Sequence, residues 1–264
     1  MKYPFLISVP HGGTEIPREV RPLFALSDDD IRYYCDPFTC EIFGFQDEVA
    51  AFIDTPISRM VVDLNRPPLP LPPKDPDGII KVRTIDGREV YAPGKFPDLV
   101  TIHRLMKKYY FPYHQKIDEL IDQHPVKIAF DCHSMLPFGS SGQKDADRTR
   151  PLICLGNNGD RYGRGRSQSL TTCPPLLITE LASAFRDEFS CDGEVAINDP
   201  FSGGFIANAL FWHKGIPFIQ IEINRMLYEI RDSCIPDDTE TGETVAALKK
   251  RIWQVLTRFW DRVG

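Results

Sequence analysis

The chain has 264 residues, enough to bury a substantial core, and its 42% hydrophobic content is ordinary for a globular protein. Its formal net charge of −6 argues against a nucleic-acid-binding protein, which normally carries a basic face. No apolar run approaches the ~20 residues of a membrane-spanning helix, and the N-terminal run 3–9 is too short for a secretory signal. Seven scattered cysteines without a C-x-x-C pair favour reduced thiols, so we expect a cytoplasmic protein that binds neither nucleic acid nor membrane.

Hydrophobic patterning predicts strands that alternate with helices. The predicted strands are short apolar runs at 5–9, 57–64, 126–130, 151–155, 194–197 and 216–223. The predicted helices cover 28–35, 38–53, 98–123, 175–189 and 241–262; Ser27 and Asp30 form a capping box for the first, and Pro112 kinks the third. This alternation predicts one α/β domain over residues 1–264, with a mixed, mostly parallel sheet covered by helices on both sides.

A proline-rich stretch follows the second predicted strand. Residues 67–97 contain too many prolines for a helix and make a poor central strand. The stretch is also too long for a plain connection, so we interpret it as a functional loop or lid with a small hairpin around 79–91.

Two histidines stand where apolar runs end. His11 follows the first predicted strand and precedes Gly12-Gly13, and His133 follows the run 126–130. Because carboxyl ends of parallel strands meet at one edge of an open sheet, we expect the two histidines to share a site rather than merely to cap strands. Two histidines and one carboxylate are typical of a catalytic zinc site that keeps a position open for water.

The residues alone leave the third ligand open. Glu15 lies close to His11 in sequence but on a loop without fixed geometry. Asp36 opens the next predicted helix, where a plain N-cap is by itself the favoured interpretation. Asp63 and Asp131 suit a different role, the support of a histidine N–H.

Glu222 is a carboxylate within the apolar run 216–223 and shares a strand face with Gln220 and Asn224. Burying such a group is costly unless it is paired or used, so the alternatives are a buried salt bridge and a general base.

Cationic and glycine-rich strings suggest how a substrate is held. Arg59 and Arg66 lie near the two ends of the string from Ser58 to Pro67. Such a guanidinium pair suits a developing oxyanion and a substrate carboxylate, although Asp63 offers one of them a structural partner. Gly203-Gly204 has two interpretations, an ordinary turn or a segment whose backbone N–H groups meet a substrate.

Taken together, these motifs resemble those of the N-formylglutamate amidohydrolase family. The resemblance spans residues 5 to about 228 and is carried by Ser8-Val9-Pro10-His11-Gly12-Gly13, Ser58-Arg59, Asn65-Arg66, Asp131-Cys132-His133-Ser134, Ser202-Gly203-Gly204 and Gln220-Ile221-Glu222. That family is similar in fold to the zinc carboxypeptidases and aspartoacylases, which implies a zinc-carboxypeptidase-like fold here.

The resemblance also implies roles for individual residues. It makes His11 and His133 ligands of one zinc ion, Arg59 the group that polarises the carbonyl, and Glu222 the base. It makes Asn65 and Arg66 the carboxylate clamp. The chain departs from the relatives' His-x-x-Glu motif because Thr14 replaces the glutamate; we therefore expect Asp36, rather than Glu15, to be the third ligand.

The predicted function is zinc-dependent hydrolysis of the N-acyl amide of a small acidic amino acid, with N-formyl-L-glutamate as the substrate. One alternative keeps the metal site but acts on another N-acyl amino acid or a peptide. A second alternative is a binding protein for acidic metabolites without turnover. The histidine and glutamate set argues against the latter, since capture of a carboxylate requires arginine but no metal.

Overall fold

The computed structural model describes residues 2–140, 143–167, 169–229 and 238–264. A six-stranded sheet organises them, in the strand order β2-β1-β3-β6-β4-β5. The strands are β1 (Tyr3–Val9), β2 (Val49–Asp54), β3 (Ile128–Met135), β4 (Ile153–Gly156), β5 (Val195–Ile197) and β6 (Phe218–Asn224).

Four neighbouring strands of the sheet are parallel. β1 pairs in parallel with β2 and with β3, and β3 pairs in parallel with β6. β4 runs antiparallel to β6 and pairs in parallel with β5. The predicted mixed, mostly parallel α/β sheet is therefore confirmed, and the carboxyl ends of β1, β3 and β6 lie at one edge.

Helices cover both faces of this sheet. They are α1 (Asp28–Tyr34), α2 (Thr39–Ile42), α3 (Leu99–Leu105), α4 (Phe111–Gln123), α5 (Pro175–Phe189), α6 (Phe205–Lys214) and α7 (Asp238–Val263). A π-helical segment, Met106–Tyr110, joins α3 to α4 immediately before Pro112. The capping box of α1 forms as predicted, with the Ser27 side chain accepting the Asp30 N–H. Among the described residues, no helix has the length and apolarity that crossing a membrane requires.

Alternation along the strands divides the side chains between two hydrophobic clusters. Phe130 and Ile221 belong to the first cluster, with α2, α5 and α7. Ala129 and Phe218 belong to the second, with α1, α3, α4 and α6. Because successive strand residues point to opposite faces, polar residues of β3 and β6 at alternate positions share the face of the second cluster near the carboxyl edge. These residues are Asp131, His133, Gln220 and Glu222.

The prediction of one long helix over 38–53 is wrong. α2 ends at Ile42 and β2 begins at Val49. Gly44 lies at the break, where a Cβ would press on the backbone oxygen of Cys40. The parallel pairing of β2 with β1 outweighs the helical spacing of the apolar residues in this segment.

The prediction of a strand over 57–64 is also wrong. Ile57 makes an isolated bridge with Glu15, and a turn follows in which the Ser58 hydroxyl accepts the N–H of Met60. The apolar side chains of residues 60–62 and 64 are nevertheless buried in the second cluster. Arg59 and Arg66 therefore flank a buried turn-rich segment rather than a strand.

One strand boundary and one additional helix also differ from the predictions. β3 continues to Met135 because its pairing with β6 extends to Asn224, so His133 lies inside the strand and not after it. α6 was not predicted, since its sequence is apolar on all sides; its signal is the pair of glycines at its ends, Gly204 as N-cap and Gly215 in the left-handed conformation.

The proline-rich segment 67–97 has neither helix nor regular strand. An antiparallel bridge between Arg83 and Glu89 forms the expected small hairpin. Ile79, Ile80 and Val90 are fully buried and anchor the segment in the second cluster. Its action as a lid stays a prediction, as does the extent of one domain over all 264 residues.

Candidate active site

A cavity of about 720 Å³ lies at the carboxyl edge of β3 and β6. It is lined by every residue that sequence analysis placed in the site, namely His11, Asp36, Arg59, Asn65, Arg66, His133, Gly203, Gly204 and Glu222. The fold thus brings together residues from both ends of the chain. Glu15, the rival third ligand, is exposed and does not line this cavity.

Local backbone contacts place Asp36 next to His11. Just beyond β1, Gly13 passes so close to Pro56 that a Cβ would overlap the backbone there. The N–H of Asp36 donates to the carbonyl of His11 at 2.9 Å. Asp36 itself lies between α1 and α2, where its carbonyl accepts the Thr39 hydroxyl at 2.7 Å. The backbone thereby holds both side chains at the same point of the cavity.

The register of β3 and β6 places Glu222 beside His133. The two residues are directly opposite in the parallel ladder, so their side chains leave the sheet on the same face. The Gln220 amide donates to Glu222 Oε1 at 2.8 Å. Gln220 is a site residue that sequence analysis placed only on the correct strand face, and its pairing with Glu222 fixes the carboxylate.

Three ligand-type side chains converge. His11, Asp36 and His133 are all buried, and each offers one ligand atom within 4.8 Å of the others. The Nδ1 atoms of His11 and His133 are 3.1 Å apart, and they lie 3.6 and 3.2 Å from Asp36 Oδ2. These distances would allow one small cation to contact all three residues.

The outer nitrogens of both histidines bond to buried carboxylates. His11 Nε2 lies 2.7 Å from Asp63 Oδ1, and His133 Nε2 lies 3.0 Å from Asp131 Oδ2. Because a carboxylate only accepts, each Nε2 carries a proton, and in the neutral form of each ring Nδ1 keeps a lone pair. With both rings neutral, three electron-pair donors face one another, and a divalent cation in place of protons would satisfy all of them. Carboxylate-supported histidines of this kind are typical of metal sites.

The electrostatics of the site favour positive charge at its centre. Burial opposes the charged form of His133, but the carboxylates of Asp131 and Asp36 outweigh it and raise the pKa of His133 well above its ordinary value. Burial also opposes ionisation of Asp36, yet hydrogen bonds from the two histidines lower its pKa. Glu222 differs, because burial raises its pKa to about 7.

Arg59 is anchored by two carboxylates at the edge of the cavity. Its Nη2 donates to Asp63 Oδ2 at 3.0 Å, and its Nη1 lies 3.5 Å from Asp36 Oδ1. The side chain remains 21% exposed, so it keeps access to the cavity. Arg59 is therefore compatible with both predicted roles, a structural ion pair and a group that stabilises an oxyanion. The ion pair holds the guanidinium, which still faces the cavity.

Arg66 faces the cavity from the start of the proline-rich segment. It pairs with Asp77 through Nη2 at 2.8 Å and donates through Nε to the Asp77 carbonyl at 2.9 Å. The side chain is 36% exposed. Lys81 bridges Asp77 and Asp63 from the same segment and is almost fully buried. Lys81 was not predicted as a site residue, because a lysine in a proline-rich stretch is usually solvated.

Asn65 and the two glycines meet at the beginning of α6. Gly204 is the N-cap of that helix, and a Cβ there would overlap the Asn65 side chain. No described residue accepts a hydrogen bond from the backbone N–H of Gly203 or Gly204. Both ends of the Asn65 amide, by contrast, are engaged inside the protein.

An open α/β sheet that gathers ligand-type histidines, a buried glutamate and arginines in one cavity at its carboxyl edge has the features expected of an enzyme active site. The chain belongs to the N-formylglutamate amidohydrolase family, since the model of that family matches residues 3–229. The family assignment made from the sequence motifs is therefore confirmed.

Two solved structures share the fold over nearly the whole chain. The N-formylglutamate amidohydrolase from Ralstonia eutropha JMP134 is 20% identical, with a TM-score of 0.74 over 99% of this chain and 95% of that chain. The gene product Atu2144 from Agrobacterium tumefaciens is 21% identical, with a TM-score of 0.63 over 97% of this chain and 91% of that chain. A metallo-carboxypeptidase from Burkholderia cenocepacia matches more distantly, at 13% identity and a TM-score of 0.43 over 100% of this chain and 58% of that chain. A comparison with curated proteins gave no match.

Proposed function

We propose that this protein is a zinc-dependent amidohydrolase that cleaves the N-acyl amide of a small acidic amino acid. The substrate that fits best is N-formyl-L-glutamate, which would give formate and glutamate. The observation that carries the proposal is the convergence of His11, Asp36 and His133 in a cavity that also contains Glu222 and cationic side chains.

The donor set suits zinc. Two imidazole nitrogens and one carboxylate oxygen are ligands that catalytic zinc sites use, and Asp63 and Asp131 fix both imidazoles in the tautomer that presents Nδ1. When bound, zinc lowers the pKa of a water molecule and polarises an acyl carbonyl. Asp36 supplies the one negative charge of the set, and Glu15 lies outside it.

Glu222 is the proposed general base. Burial raises its pKa to about 7, close to neutral pH, where a carboxylate can both accept and return a proton. It would take a proton from the attacking water and deliver it to the nitrogen of the leaving amino acid. The hydrogen bond from Gln220 to Oε1 holds one oxygen and leaves Oε2 for this transfer.

Arg59 is proposed to stabilise the carbonyl oxygen as negative charge develops there. Asp63 and Asp36 hold its guanidinium in place, so little reorganisation is needed during the reaction. The same carboxylates raise the pKa of Arg59 against the opposing effect of burial, which keeps it cationic.

Recognition of the acidic substrate requires local positive charge, because the protein as a whole carries −6. We assign the substrate carboxylates to Arg66 and to the backbone N–H groups of Gly203 and Gly204. The positive end of the α6 dipole adds to the attraction at these glycines. A planar guanidinium can hold a carboxylate through two parallel hydrogen bonds.

A substrate panel on metal-replete protein tests the proposal. It would compare N-formyl-L-glutamate with N-acetyl-L-glutamate, N-formyl-L-leucine, N-formyl-L-glutamate diamide and a glutamyl dipeptide. We expect the highest kcat/KM for N-formyl-L-glutamate and a large loss on amidation. Faster cleavage of N-formyl-L-leucine would contradict an acidic substrate, and binding without any turnover would identify a binding protein instead.

A further inference from the structure

Arg225 is a buried arginine directly after the strand that carries Glu222. It begins the short 3-10 helix Arg225–Leu227 at the end of β6, and only 4% of its surface is exposed. It lines the same cavity as the ligand-type residues. Among the described residues, its ion pair is a loose one, 3.9 Å to Glu229. Burying a guanidinium is costly unless its donors are used, so the atoms that its N–H groups reach indicate what it does.

The Arg225 guanidinium bonds to the end of α1. Nη1 donates to the Tyr33 carbonyl at 2.8 Å, and Nη2 donates to the Cys35 carbonyl. The sequence explains why the first of these carbonyls needs such a donor. In a continued helix it would accept the N–H of the residue four positions on, but that residue is Pro37, which has no N–H. Arg225 therefore caps the C-terminal carbonyls of α1 from a distant part of the chain.

The second of these bonds bears directly on Asp36. The Cys35 carbonyl and the Asp36 N–H belong to the same planar peptide unit. Arg225 bonds the oxygen of that unit, and the His11 carbonyl accepts its N–H at 2.9 Å. Both polar ends of the peptide that precedes Asp36 are thus fixed, one by the segment after β1 and the other by the turn after β6. Rotation of this peptide would turn the Asp36 side chain away from the two histidines.

The Asp36 carboxylate has only long contacts of its own outside the three ligand-type residues. Among the described residues, its Oδ2 accepts the Ser134 N–H at 3.3 Å, and its Oδ1 lies 3.5 Å from Arg59 Nη1. Both distances exceed the usual range for hydrogen bonds between nitrogen and oxygen. The direction of the carboxylate therefore depends mainly on the backbone from which it projects, and that backbone is held by Arg225.

We propose that Arg225 is a positioning residue that holds Asp36 in place for metal binding. It joins the strand of Glu222 to the turn of Asp36, so the proposed base and the proposed carboxylate ligand keep a fixed relation to each other. This inference rests on the proposed metal-dependent function, in which Asp36 is a ligand.

Zinc affinity, measured by competition with a chromophoric chelator, tests this role. Arg225→Met keeps an unbranched side chain but none of its donors, and we expect zinc binding to weaken about 10- to 100-fold, as is typical when outer partners of metal ligands are lost. Arg225→Lys keeps the charge without the planar fork that spans both carbonyls, so we expect a smaller loss. Charge alone predicts the opposite sign, because removing one cation favours the binding of another. Tighter zinc binding by Arg225→Met would therefore contradict the proposal.

Arg251→Met is the matched control. Arg251 Nη2 donates at 2.8 Å to the Glu188 carbonyl near the end of α5, so it also serves a helix C-terminus from elsewhere in the chain. It does not line the cavity. We expect this variant to lose stability in urea denaturation and to keep wild-type zinc affinity. An equal loss of zinc affinity in Arg251→Met would show that Arg225 acts through general stability, which would overturn the proposal.

Two further readouts separate positioning from substrate binding. With cobalt in place of zinc, the visible absorption spectrum reports the arrangement of the ligands, and we expect it to change in Arg225→Met but not in Arg251→Met. At saturating zinc, the KM of Arg225→Met for N-formyl-L-glutamate should stay near the wild-type value. Unchanged zinc affinity with a raised KM would overturn the proposal and make Arg225 a substrate-binding residue.

Asn224→Ala disturbs Arg225 without replacing it. The Asn224 side chain accepts the Met226 N–H at 3.0 Å and thereby holds the turn that begins with Arg225. We expect weaker zinc binding in this variant as well. If both Arg225 variants fail to fold by circular dichroism, wild-type zinc affinity in Asn224→Ala would overturn the proposal. Absence of zinc binding in wild type itself would instead refute the proposed function.

Discussion

Glu222→Gln tests the general base because it keeps the shape of the side chain and removes its proton transfer. Positioned proton transfer typically contributes 10²- to 10⁴-fold to a rate, so we expect kcat of the zinc-loaded variant to fall by at least ~10²-fold. Zinc content should be retained, since Glu222 is not among the three converging ligands.

The same substitution should stabilise the metal-free protein at high pH. Burial raises the pKa of Glu222 from 4.5 to about 7, which corresponds to roughly 3 kcal/mol against the ionised form in the folded state. Below pH 4.5 the residue is protonated in both the folded and the unfolded state, so it does not destabilise the fold. Between pH 4.5 and 7 it ionises only in the unfolded state, and the free energy of unfolding therefore falls over this interval and stays lower above pH 7. Glutamine does not titrate and shows no such loss.

Urea denaturation of chelator-treated wild type and Glu222→Gln would measure this difference. We expect equal free energies of unfolding near pH 4, and an advantage of roughly 3 kcal/mol for the variant above pH 8. Glu41→Gln, at an exposed position on α2, is the matched control and should change neither activity nor stability. Near-normal turnover by zinc-loaded Glu222→Gln, or a pH-independent stability difference, would show that Glu222 has another role.

Three further outcomes follow from the contacts. Asp36→Ala should lose stoichiometric zinc in metal analysis while Glu15→Ala retains it, and the reverse would make Glu15 the third ligand. Arg66→Ala should raise KM for N-formyl-L-glutamate more than it lowers kcat, because a clamp acts in ground and transition states alike; an unchanged KM would exclude Arg66 from the clamp. Phe130→Ala removes a fully buried ring that packs edge-on against Phe5, and should cost about 3–5 kcal/mol of unfolding free energy by chemical denaturation; a cost below about 1 kcal/mol would contradict this packing.

The sheet and the site could be predicted from the sequence where a single strand pattern indicated both which side chains are buried and which polar residues are functional. In β6, Glu222 stands among isoleucines with period-two spacing, and the structure preserves that alternation. His11 comes after β1, as expected, and Asp63 and Asp131 contact the histidines as their predicted partners. In these places a local signal, an apolar run ended by a polar residue, coincided with the tertiary arrangement.

Elsewhere long-range contacts overrode local signals. Val49 and Phe52 fit a helical spacing, but pairing with β1 draws them into a strand. The apolar run 60–62 is buried without being extended, because Ser58 starts a turn with its own hydrogen bonds. The inward position of Lys81 depends on Asp63 and Asp77, which no local pattern connects to it.

The most direct test of the central claim is the joint measurement of metal content and N-formyl-L-glutamate hydrolysis in wild type and in His133→Ala. We expect one zinc ion per wild-type chain, loss of activity on chelation with recovery on readdition of zinc, and loss of both metal and activity in the variant. Full zinc occupancy in His133→Ala, or undiminished hydrolysis by zinc-free wild type, would contradict the account.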